Sequence, residues 1–458
     1  NDGEIMSTVA AIATPNAPGG IGIIRISGED AFKIADCVFK SVSAKKLSEL
    51  KGYTASFGHV YDGENLIDEC IATVFRAPKS YTGEDVVELS CHGGLYVTNS
   101  VLRAVLSAGA IPAGAGEFTK RAFLNGRIDL TEAEGVMNII SAKGKDALNA
   151  AVTTLDGALS RRIDSVCKSL THLGAGMAVW TDYPDEDIPE VHTDSLSESL
   201  ENISNELNEL ISSFEAGHAI TEGISTVICG HPNVGKSTLM NLLTGYDRSI
   251  VTDIAGTTRD VIEETVRLGS ALLRLQDTAG LRVSSDEIEN IGVSIARQRI
   301  DRAGLVIAVF DASIPLSDED IDLLKKCREK RAVAVINKTD LGVCVDKKEI
   351  EKYIPVVVEM SASGGGGLNE LKNAVEKMLS LDNLDSSAVM LTTERQRNCC
   401  VRAKSCVDEA VEALKFGMTL DAVNVGVDSA IDALNELTGK KATETVVDEV
   451  FSKFCVGK

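Results

Sequence analysis

The residues Gly230-His-Pro-Asn-Val-Gly235-Lys236-Ser237 have the spacing of a phosphate-binding loop, G-x-x-x-x-G-K-S. The segment 224–229 before this loop is apolar and strand-like, whereas the segment 238–243 after it is helix-like. Between a strand and a helix, the backbone N–H groups of such a loop face an anion at the helix N-terminus. We therefore expect Lys236 to reach the β- and γ-phosphates of a nucleotide, and the Ser237 hydroxyl to bind Mg²⁺.

Two tetrapeptides follow strand-like segments further along the chain. Asp277-Thr278-Ala279-Gly280 comes after 272–276, where an aspartate can hold Mg²⁺ through a water and the last amide can contact a γ-phosphate. Asn337-Lys338-Thr339-Asp340 comes after 333–336, and the acceptor-only carboxylate of Asp340 fits the N1–H and N2–H₂ edge of guanine. Each tetrapeptide alone is also typical of a solvated turn, but both in this order indicate a guanine-nucleotide site.

The loop 251–260 lies between these motifs, and we expect Thr258 to complete the Mg²⁺ shell. Without the upstream motif this loop would be interpreted as polar surface. The segment 361–363 follows the strand-like run 356–358 and adds a weaker contact on the base side. The predicted GTP-binding residues are Asn233, Val234, Gly235, Lys236, Ser237, Thr238, Thr252, Asp253, Ile254, Ala255, Gly256, Thr257, Thr258, Asp277, Thr278, Ala279, Gly280, Asn337, Lys338, Asp340, Ser361, Ala362 and Ser363.

The residue that activates water for GTP hydrolysis is less evident from these motifs. Leu281 follows the Asp-Thr-Ala-Gly segment where a glutamine could have positioned water. Arg259 and Arg282 are candidates for an arginine that neutralises the developing charge, but no sequence feature distinguishes them. Another group must therefore orient the water and stabilise the transition state.

The apolar periodicity predicts a multidomain chain of α/β and helical parts. Strand-like and helix-like runs alternate over 1–120, which predicts a mixed α+β domain. The segment 121–217 is helical, 218–380 alternates β and α as in a Ras-like doubly wound sheet, and 381–458 is helical again. The simplest organisation is a helical domain interrupted by an inserted G domain.

The composition limits the possible classes of function. The chain has 458 residues, which predicts two or three domains, and no apolar run approaches the length of a membrane span. Its net charge of −22 argues against a broad, non-specific nucleic-acid surface. The 11 cysteines lack zinc-ligand spacing and fit reduced thiols better than a disulfide framework. We expect a cytoplasmic protein with no membrane contact.

The chain resembles, essentially end to end, the MnmE (TrmE) family of tRNA-modification GTPases. The resemblance is most specific outside the G domain, where general GTPases lack the corresponding motifs. These motifs are Ala13-Thr-Pro through Gly19-Gly-Ile-Gly-Ile-Ile-Arg25-Ile-Ser-Gly28, Tyr81-Thr-Gly-Glu-Asp-Val-Val-Glu88, Gly116-Glu-Phe-Thr-Lys-Arg-Ala-Phe-Leu-Asn-Gly-Arg127 and Phe454-Cys455-Val456-Gly457-Lys458.

This resemblance implies a specific activity. Proteins of the family act with an FAD-binding partner protein, as a heterotetramer, to place an aminomethyl or carboxymethylaminomethyl group at C5 of the tRNA wobble uridine. The one-carbon unit comes from 5-formyl- or methylene-tetrahydrofolate, bound by an N-terminal domain that also forms the homodimer. The net charge does not reveal where tRNA docks, and we expect the partner to provide much of that surface.

The resemblance also implies roles for individual residues. Arg25, Glu88, Arg127 and Lys458 match folate-contacting positions. A K⁺ ion bound by Asn233, Thr252, Ile254 and Thr257 would replace an arginine finger once two G domains dimerise. Glu289 matches the glutamate that positions the attacking water, and Cys455 matches a cysteine proposed to take part in the tRNA chemistry. From the residues alone, Glu289 would be a solvated acid and Cys455 could equally be a packing residue.

Two other functions remain open on the sequence. One is a folate-dependent one-carbon transferase in which the G domain only regulates transfer. The other is a ribosome-assembly or signalling GTPase, which would bind no folate.

Overall fold

The computed structural model describes residues 7–182, 193–246, 264–275, 300–382 and 384–458. Within these residues no helix combines the length and apolarity needed to cross a bilayer. The chain forms two compact units. Unit 1 comprises Asn1–Met137, Thr154–Ser197 and Ser405–Lys458, and unit 2 comprises Asn138–Thr153 and Glu198–Lys404.

Both units contain strands and helices. The strands are β1 (Val9–Ile12), β2 (Ile21–Ser27), β3 (Phe39–Ser41), β4 (Thr54–Asp62), β5 (Asn65–Phe75), β6 (Val86–His92), β7 (Ile111–Pro112), β8 (Ile224–Cys229), β9 (Glu264–Leu268), β10 (Ala271–Leu275), β11 (Leu305–Asp311), β12 (Ala332–Asn337) and β13 (Val357–Glu359). The helices are α1 (Ala31–Val38), α2 (Leu95–Ser107), α3 (Glu117–Leu124), α4 (Leu130–Ser141), α5 (Lys145–Leu155), α6 (Ala158–Asp182), α7 (Thr193–Thr221), α8 (Lys236–Tyr246), α9 (Asp318–Cys327), α10 (Lys347–Glu351), α11 (Leu368–Met378), α12 (Glu394–Lys415), α13 (Leu420–Thr438) and α14 (Glu444–Ser452).

Unit 1 contains a seven-stranded sheet in the order β3-β4-β5-β6-β2-β1-β7. Neighbouring strands are antiparallel except for the pair β1–β7. Alternate side chains such as Ile24, Val74 and Leu89 face α1 and α2 and form the core. The opposite face carries Phe57 and Ile71, which are 52% and 48% exposed. The sheet therefore has one covered face and one that is largely open at β4 and β5.

Unit 2 contains a six-stranded sheet in the order β13-β12-β11-β8-β10-β9, in which only the β9–β10 pair is antiparallel. Alternate residues of β11 enter two different cores. Ile307 and Val309 pack with α8 and α11, whereas Ala308 and Phe310 pack with α9 and α10. Helices thus cover both faces of a parallel sheet, which is the doubly wound arrangement. The predicted fold class, an α+β N-terminal part with helical and G domains, is confirmed.

The structure divides the predicted helical segment 121–217 into separate helices, and within it α5 ends at Leu155 and α6 begins at Ala158. Gly157 between them has φ +74°, and a Cβ there would lie 2.6 Å from Glu132 Oε1. The left-handed backbone at Gly157 breaks the helix. The domain boundaries at 120, 217 and 380 stay predictions.

Candidate functional site

The phosphate-binding loop lies at the carboxyl end of β8 and leads into α8. Gly230 has φ +148°, and a Cβ there would meet the Val309 carbonyl oxygen at 2.2 Å. Asn233 also has a positive φ, 64°, which asparagine tolerates better than most residues. Lys236 begins the helix, and its ammonium donates to the Gly230 and His231 carbonyl oxygens at 2.7 Å each. Burial lowers the pKa of Lys236 from its usual value.

Asn337, at the end of β12, ties this loop to two other segments. Its Nδ2 donates to the Val234 carbonyl oxygen at 2.9 Å, and its Oδ1 accepts from the Ala362 amide at 2.9 Å. A Cβ at Gly235, where φ is +98°, would lie 2.2 Å from that Nδ2. Asn337 is only 2% exposed, so both of its hydrogen bonds are shielded from water. The asparagine therefore fixes the phosphate loop against segment 361–363.

The base-side residues converge next to Asn337. The Ser361 hydroxyl donates to Asp340 Oδ1 at 2.6 Å and lies 3.2 Å from the Ser363 hydroxyl. The Thr339 amide donates to the Met360 carbonyl oxygen at 3.3 Å. These contacts orient the Asp340 carboxylate, and no donor within the described parts of the chain reaches its Oδ2, which suits an acceptor for a ligand.

Asp311 joins this group although it is not among the predicted site residues. It ends β11, and its Oδ2 accepts from the Lys338 ammonium at 2.6 Å. Burial alone would raise the pKa of Asp311, but hydrogen bonds from Lys338 and Ser313 outweigh burial and hold the pKa below its ordinary value. The only sequence signal for this role is the position of an aspartate at the carboxyl end of a parallel strand.

Several predicted site residues lie outside the described residues, so the structure tests none of them. These are Thr252, Asp253, Ile254, Ala255, Gly256, Thr257, Thr258, Asp277, Thr278, Ala279, Gly280 and Glu289. Among the described residues, no group of three or more His, Cys, Asp or Glu side chains could hold a metal. The described candidates for ion binding are instead the exposed side chains of Asn233 and Ser237, whose amide and hydroxyl oxygens are suitable ligands for K⁺ and Mg²⁺.

A second cluster of candidate residues lies in unit 1. Arg25 on β2 and Glu88 on β6 are partners in the sheet register, and their side chains pair at 2.8 Å from Nε to Oε1. The Arg25 guanidinium carbon lies 5.5 Å from the centre of the Tyr81 ring and 5.3 Å from that of Phe118. The Tyr81 hydroxyl contacts the Thr119 hydroxyl at 2.9 Å, and burial raises its pKa.

The C-terminal tail reaches the same cluster. Arg25 Nη1 donates to the Gly457 carbonyl oxygen at 3.4 Å, and the Phe118 amide donates to the Lys458 carbonyl oxygen at 3.1 Å. Gly457 has φ +97°, and a Cβ there would meet the Ile12 carbonyl oxygen at 2.2 Å. The tail is thus held by backbone contacts that require glycine, while the Cys455 side chain is exposed.

Arg127 lies near Tyr81 of this cluster, but its side chain forms no ion pair with Glu88. Its charge favours the ionised form of Tyr81 and thereby counteracts part of the rise in the Tyr81 pKa. It lines a cavity of about 310 Å³ together with Phe123, Asp129, Glu132 and Lys440. The structure therefore places Arg25, Glu88 and the Lys458 backbone together and Arg127 at a neighbouring cavity.

The arrangement in unit 2 defines a class of protein. A doubly wound parallel sheet carries a phosphate-binding loop on its first strand and an Asn-Lys-Thr-Asp turn on β12, both at the carboxyl edge. Ligands of such sheets bind in the crevice at the carboxyl ends of the strands, at the point where the strand order reverses. Unit 2 thus contains a P-loop GTPase domain.

Comparisons with known proteins extend this class to a family. Residues 130–455 match the model of the MnmE helical domain, and residues 8–127 match that of the GTP-binding protein TrmE N-terminus. The tRNA modification GTPase MnmE of Clostridioides difficile (strain 630) is 41% identical over 99% of this chain and 100% of the relative. That of Acetivibrio thermocellus is 40% identical over 98% and 99%. The chain belongs to the MnmE family of tRNA modification GTPases.

A solved structure resembles part of the chain. The G domain of the T. maritima FeoB iron transporter has 28% sequence identity and a TM-score of 0.26, and the match covers 34% of this chain and 98% of that chain.

Replacing Asn337 with alanine should damage both nucleotide binding and the stability of the GTPase domain. The substitution leaves the buried Val234 carbonyl and Ala362 amide without their partner, at about 1–3 kcal/mol for each group. We expect GDP affinity to fall at least tenfold and the thermal unfolding temperature to decrease. Asn369→Ala, on an exposed position of α11, is the matched control and should change neither measurement. Unchanged GDP affinity in Asn337→Ala would contradict the role of Asn337 in fixing the phosphate loop against segment 361–363.

Proposed function

We propose that this GTPase acts with an FAD-binding partner to place an aminomethyl or carboxymethylaminomethyl group at C5 of the tRNA wobble uridine. The one-carbon unit would come from 5-formyl- or methylene-tetrahydrofolate bound in unit 1. The observation that carries this proposal is the Arg25–Glu88 pair, set between two aromatic rings and the C-terminal tail. A GTPase that only signals has no need of such a site outside its G domain.

The chemistry of this pair suits a reduced folate. A carboxylate such as Glu88 can accept hydrogen bonds from the amino edge of a pterin, while cations suit the glutamyl carboxylates. Tyr81 and Phe118 lie beside Arg25 and offer apolar surface for a flat ring. The Lys458 side chain and Arg127 would supply further positive charge, Arg127 from the neighbouring cavity. These residues would bind and orient the folate.

The GTPase reaction would use the residues at the carboxyl edge of the unit 2 sheet. Lys236 would turn its ammonium from the loop carbonyls to the β- and γ-phosphates, and the Ser237 hydroxyl would hold Mg²⁺. The Asn233 amide oxygen, with Thr252, Ile254 and Thr257, would hold K⁺, which supplies the positive charge of an arginine finger. Thr258 would complete the Mg²⁺ shell, and Glu289 would orient the attacking water.

The open face of the unit 1 sheet supports a homodimer. The register aligns Phe57 with Ile71, Ile71 with Ser90, and Ser90 with Ile23, so these side chains form one row across four strands. Arg25 projects to the same face as Ile23, because residues two apart on a strand share a face. We propose that a second copy of this chain covers the row, which places the Arg25 site beside the dimer interface. Half-exposed Phe57 and Ile71 would then be buried.

Two parts of the proposal concern tRNA. The net charge of −22 favours docking of tRNA mainly on the FAD-binding partner. Cys455 is exposed beside the folate cluster, since its carbonyl oxygen accepts from the Gly116 amide at 3.3 Å. An exposed thiol at this position could act as a nucleophile toward the uridine.

Mass spectrometry of tRNA wobble nucleosides tests the proposed function. Cells that lack this chain should lose the C5 substituent, and the wild-type gene should restore it. Arg25→Ala should fail to restore it, because the folate loses its cation, yet the purified variant should hydrolyse GTP normally. Arg103→Ala, on an exposed position of α2, should restore the modification fully. An unchanged nucleoside profile in the deletion would refute the function, whereas full rescue by Arg25→Ala would refute only the folate site.

The K⁺ site can be tested on the hydrolysis rate. Wild-type protein should hydrolyse GTP at least tenfold faster in K⁺ than in Na⁺, since the cation replaces a charge that stabilises the transition state. Asn233→Ala should lose this preference while still binding GDP. Asn241→Ala makes the same substitution at an exposed position of α8, and this control should retain the preference for K⁺. Equal rates in both salts for the wild type would contradict the assignment.

The dimer face can be tested by analytical ultracentrifugation without nucleotide. Phe57→Glu should convert a dimer into a monomer, because burying an unpaired charge in an apolar interface is costly. Phe416→Glu replaces an equally apolar residue that is 83% exposed in the turn after α12, and it should leave the dimer intact. A dimer that persists in Phe57→Glu would place the interface elsewhere.

A further inference from the structure

The Asp311 carboxylate occupies a central position at the nucleotide edge of unit 2. Asp311 ends β11, which lies between β8, the strand that leads into the phosphate loop, and β12. It is the register partner of Asn337. Because these strands are parallel, the carboxyl ends of all three meet at one edge of the sheet.

Both oxygens of this carboxylate are engaged, each by a different neighbour. Oδ1 accepts from the Ser313 amide at 2.9 Å and from the Ser313 hydroxyl at 2.6 Å. Oδ2 accepts from the Lys338 ammonium at 2.6 Å. The Asp311 side chain is 9% exposed and that of Lys338 is 30% exposed, so the pair is largely shielded from water and salt. The loop of Ser313 therefore orients Asp311, which leaves one oxygen for the lysine.

The lysine needs such a partner to hold one conformation. Its side chain has four rotatable bonds, and fixing them costs up to about 2 kcal/mol of conformational entropy. Lys338 has a left-handed backbone, φ 65°, and precedes the short 3₁₀ turn Thr339–Leu341 that carries Asp340. Because the ammonium is held at Asp311, the Lys338 side chain connects this turn with the end of β11. The contact thereby fixes the side chain two residues before Asp340.

The pair also removes an electrostatic repulsion between Asp311 and the nucleotide. A shielded carboxylate at the edge where a nucleotide polyphosphate binds would repel that ligand if it were uncompensated. Lys338 neutralises the carboxylate at a distance of 2.6 Å. Neutralisation and side-chain ordering thus depend on the same contact.

We propose that Asp311 is a positioning residue for nucleotide binding, which acts through Lys338 to fix the base side of the site. The proposal rests on the proposed GTPase function and on the assignment of Asn337–Asp340, made from the sequence, to recognition of the guanine base. In this role Asp311 would not contact the nucleotide, since Ser313 and Lys338 engage both of its oxygens. Its effect should therefore vanish when Lys338 can no longer respond to it.

A double-mutant cycle on the full-length protein tests this dependence. The dissociation rate of a fluorescent GDP analogue would be measured for wild type, Asp311→Asn, Lys338→Met and the double variant. Asp311→Asn should release the analogue roughly tenfold faster, from the loss of one charged hydrogen bond. In the Lys338→Met background the same substitution should change the rate less than twofold. Ser313→Ala, which removes one bond to Oδ1 but not the bond to Lys338, should also stay within about twofold.

Two results would overturn the proposal. One is a dissociation rate in Asp311→Asn that equals that of the wild type. The other is a tenfold effect that persists in the Lys338→Met background, which would show that Asp311 acts on the scaffold and not through the lysine. The Asp340→Asn variant distinguishes a wrong role for Asp311 from a wrong assignment of the guanine pocket. If the guanine pocket is correctly assigned, this variant should prefer a xanthine over a guanine nucleotide, whatever the outcome for Asp311.

Discussion

The hydrogen bonds of Asn337 hold together the nucleotide edge of unit 2. They connect the phosphate loop at Val234 with the Ala362 segment, and they do so from the end of a buried strand. This is possible only because Gly235 has no side chain where the asparagine approaches. The buried parallel strands supply the rigid base, since helices cover both faces of the sheet. Phosphate binding and base recognition thus depend on the same buried strands.

The sheet of unit 1 differs in how its two faces are covered. In the described part of unit 1, helices α1 and α2 pack on one face of its sheet, so the other face must be covered in another way. Near β1, Phe118 of α3 packs on Val9 and Ala11. At β4 and β5 nothing among the described residues covers Phe57 and Ile71, which is where we place the second copy. The Arg25–Glu88 pair lies on this same face, between the covered and the open part.

Much of the fold could be predicted from apolar patterns, and some of the site could not. The strands β8, β11 and β12 are mostly apolar, because both faces of the sheet are covered, so they are evident in the sequence. The break at Gly157 was not predicted, because the helical pattern over 121–217 did not define the ends of individual helices. Asp311 was missed because an aspartate after a strand looks like any polar turn residue. Its partner Lys338 is 27 positions away and is brought near by strand pairing.

The sequence by itself determined the phosphate loop, the Asn-Lys-Thr-Asp turn and the alternation of strands and helices. These depend on local spacing, glycine and apolar period, which the linear chain carries. Only the tertiary structure decided that Arg25 pairs with Glu88, 63 positions away, and that the tail at Gly457 closes on them. Such contacts depend on the sheet register and on where the C-terminal tail packs. Register shifts by single residues would reverse which side chains face the core, and no local motif encodes that choice.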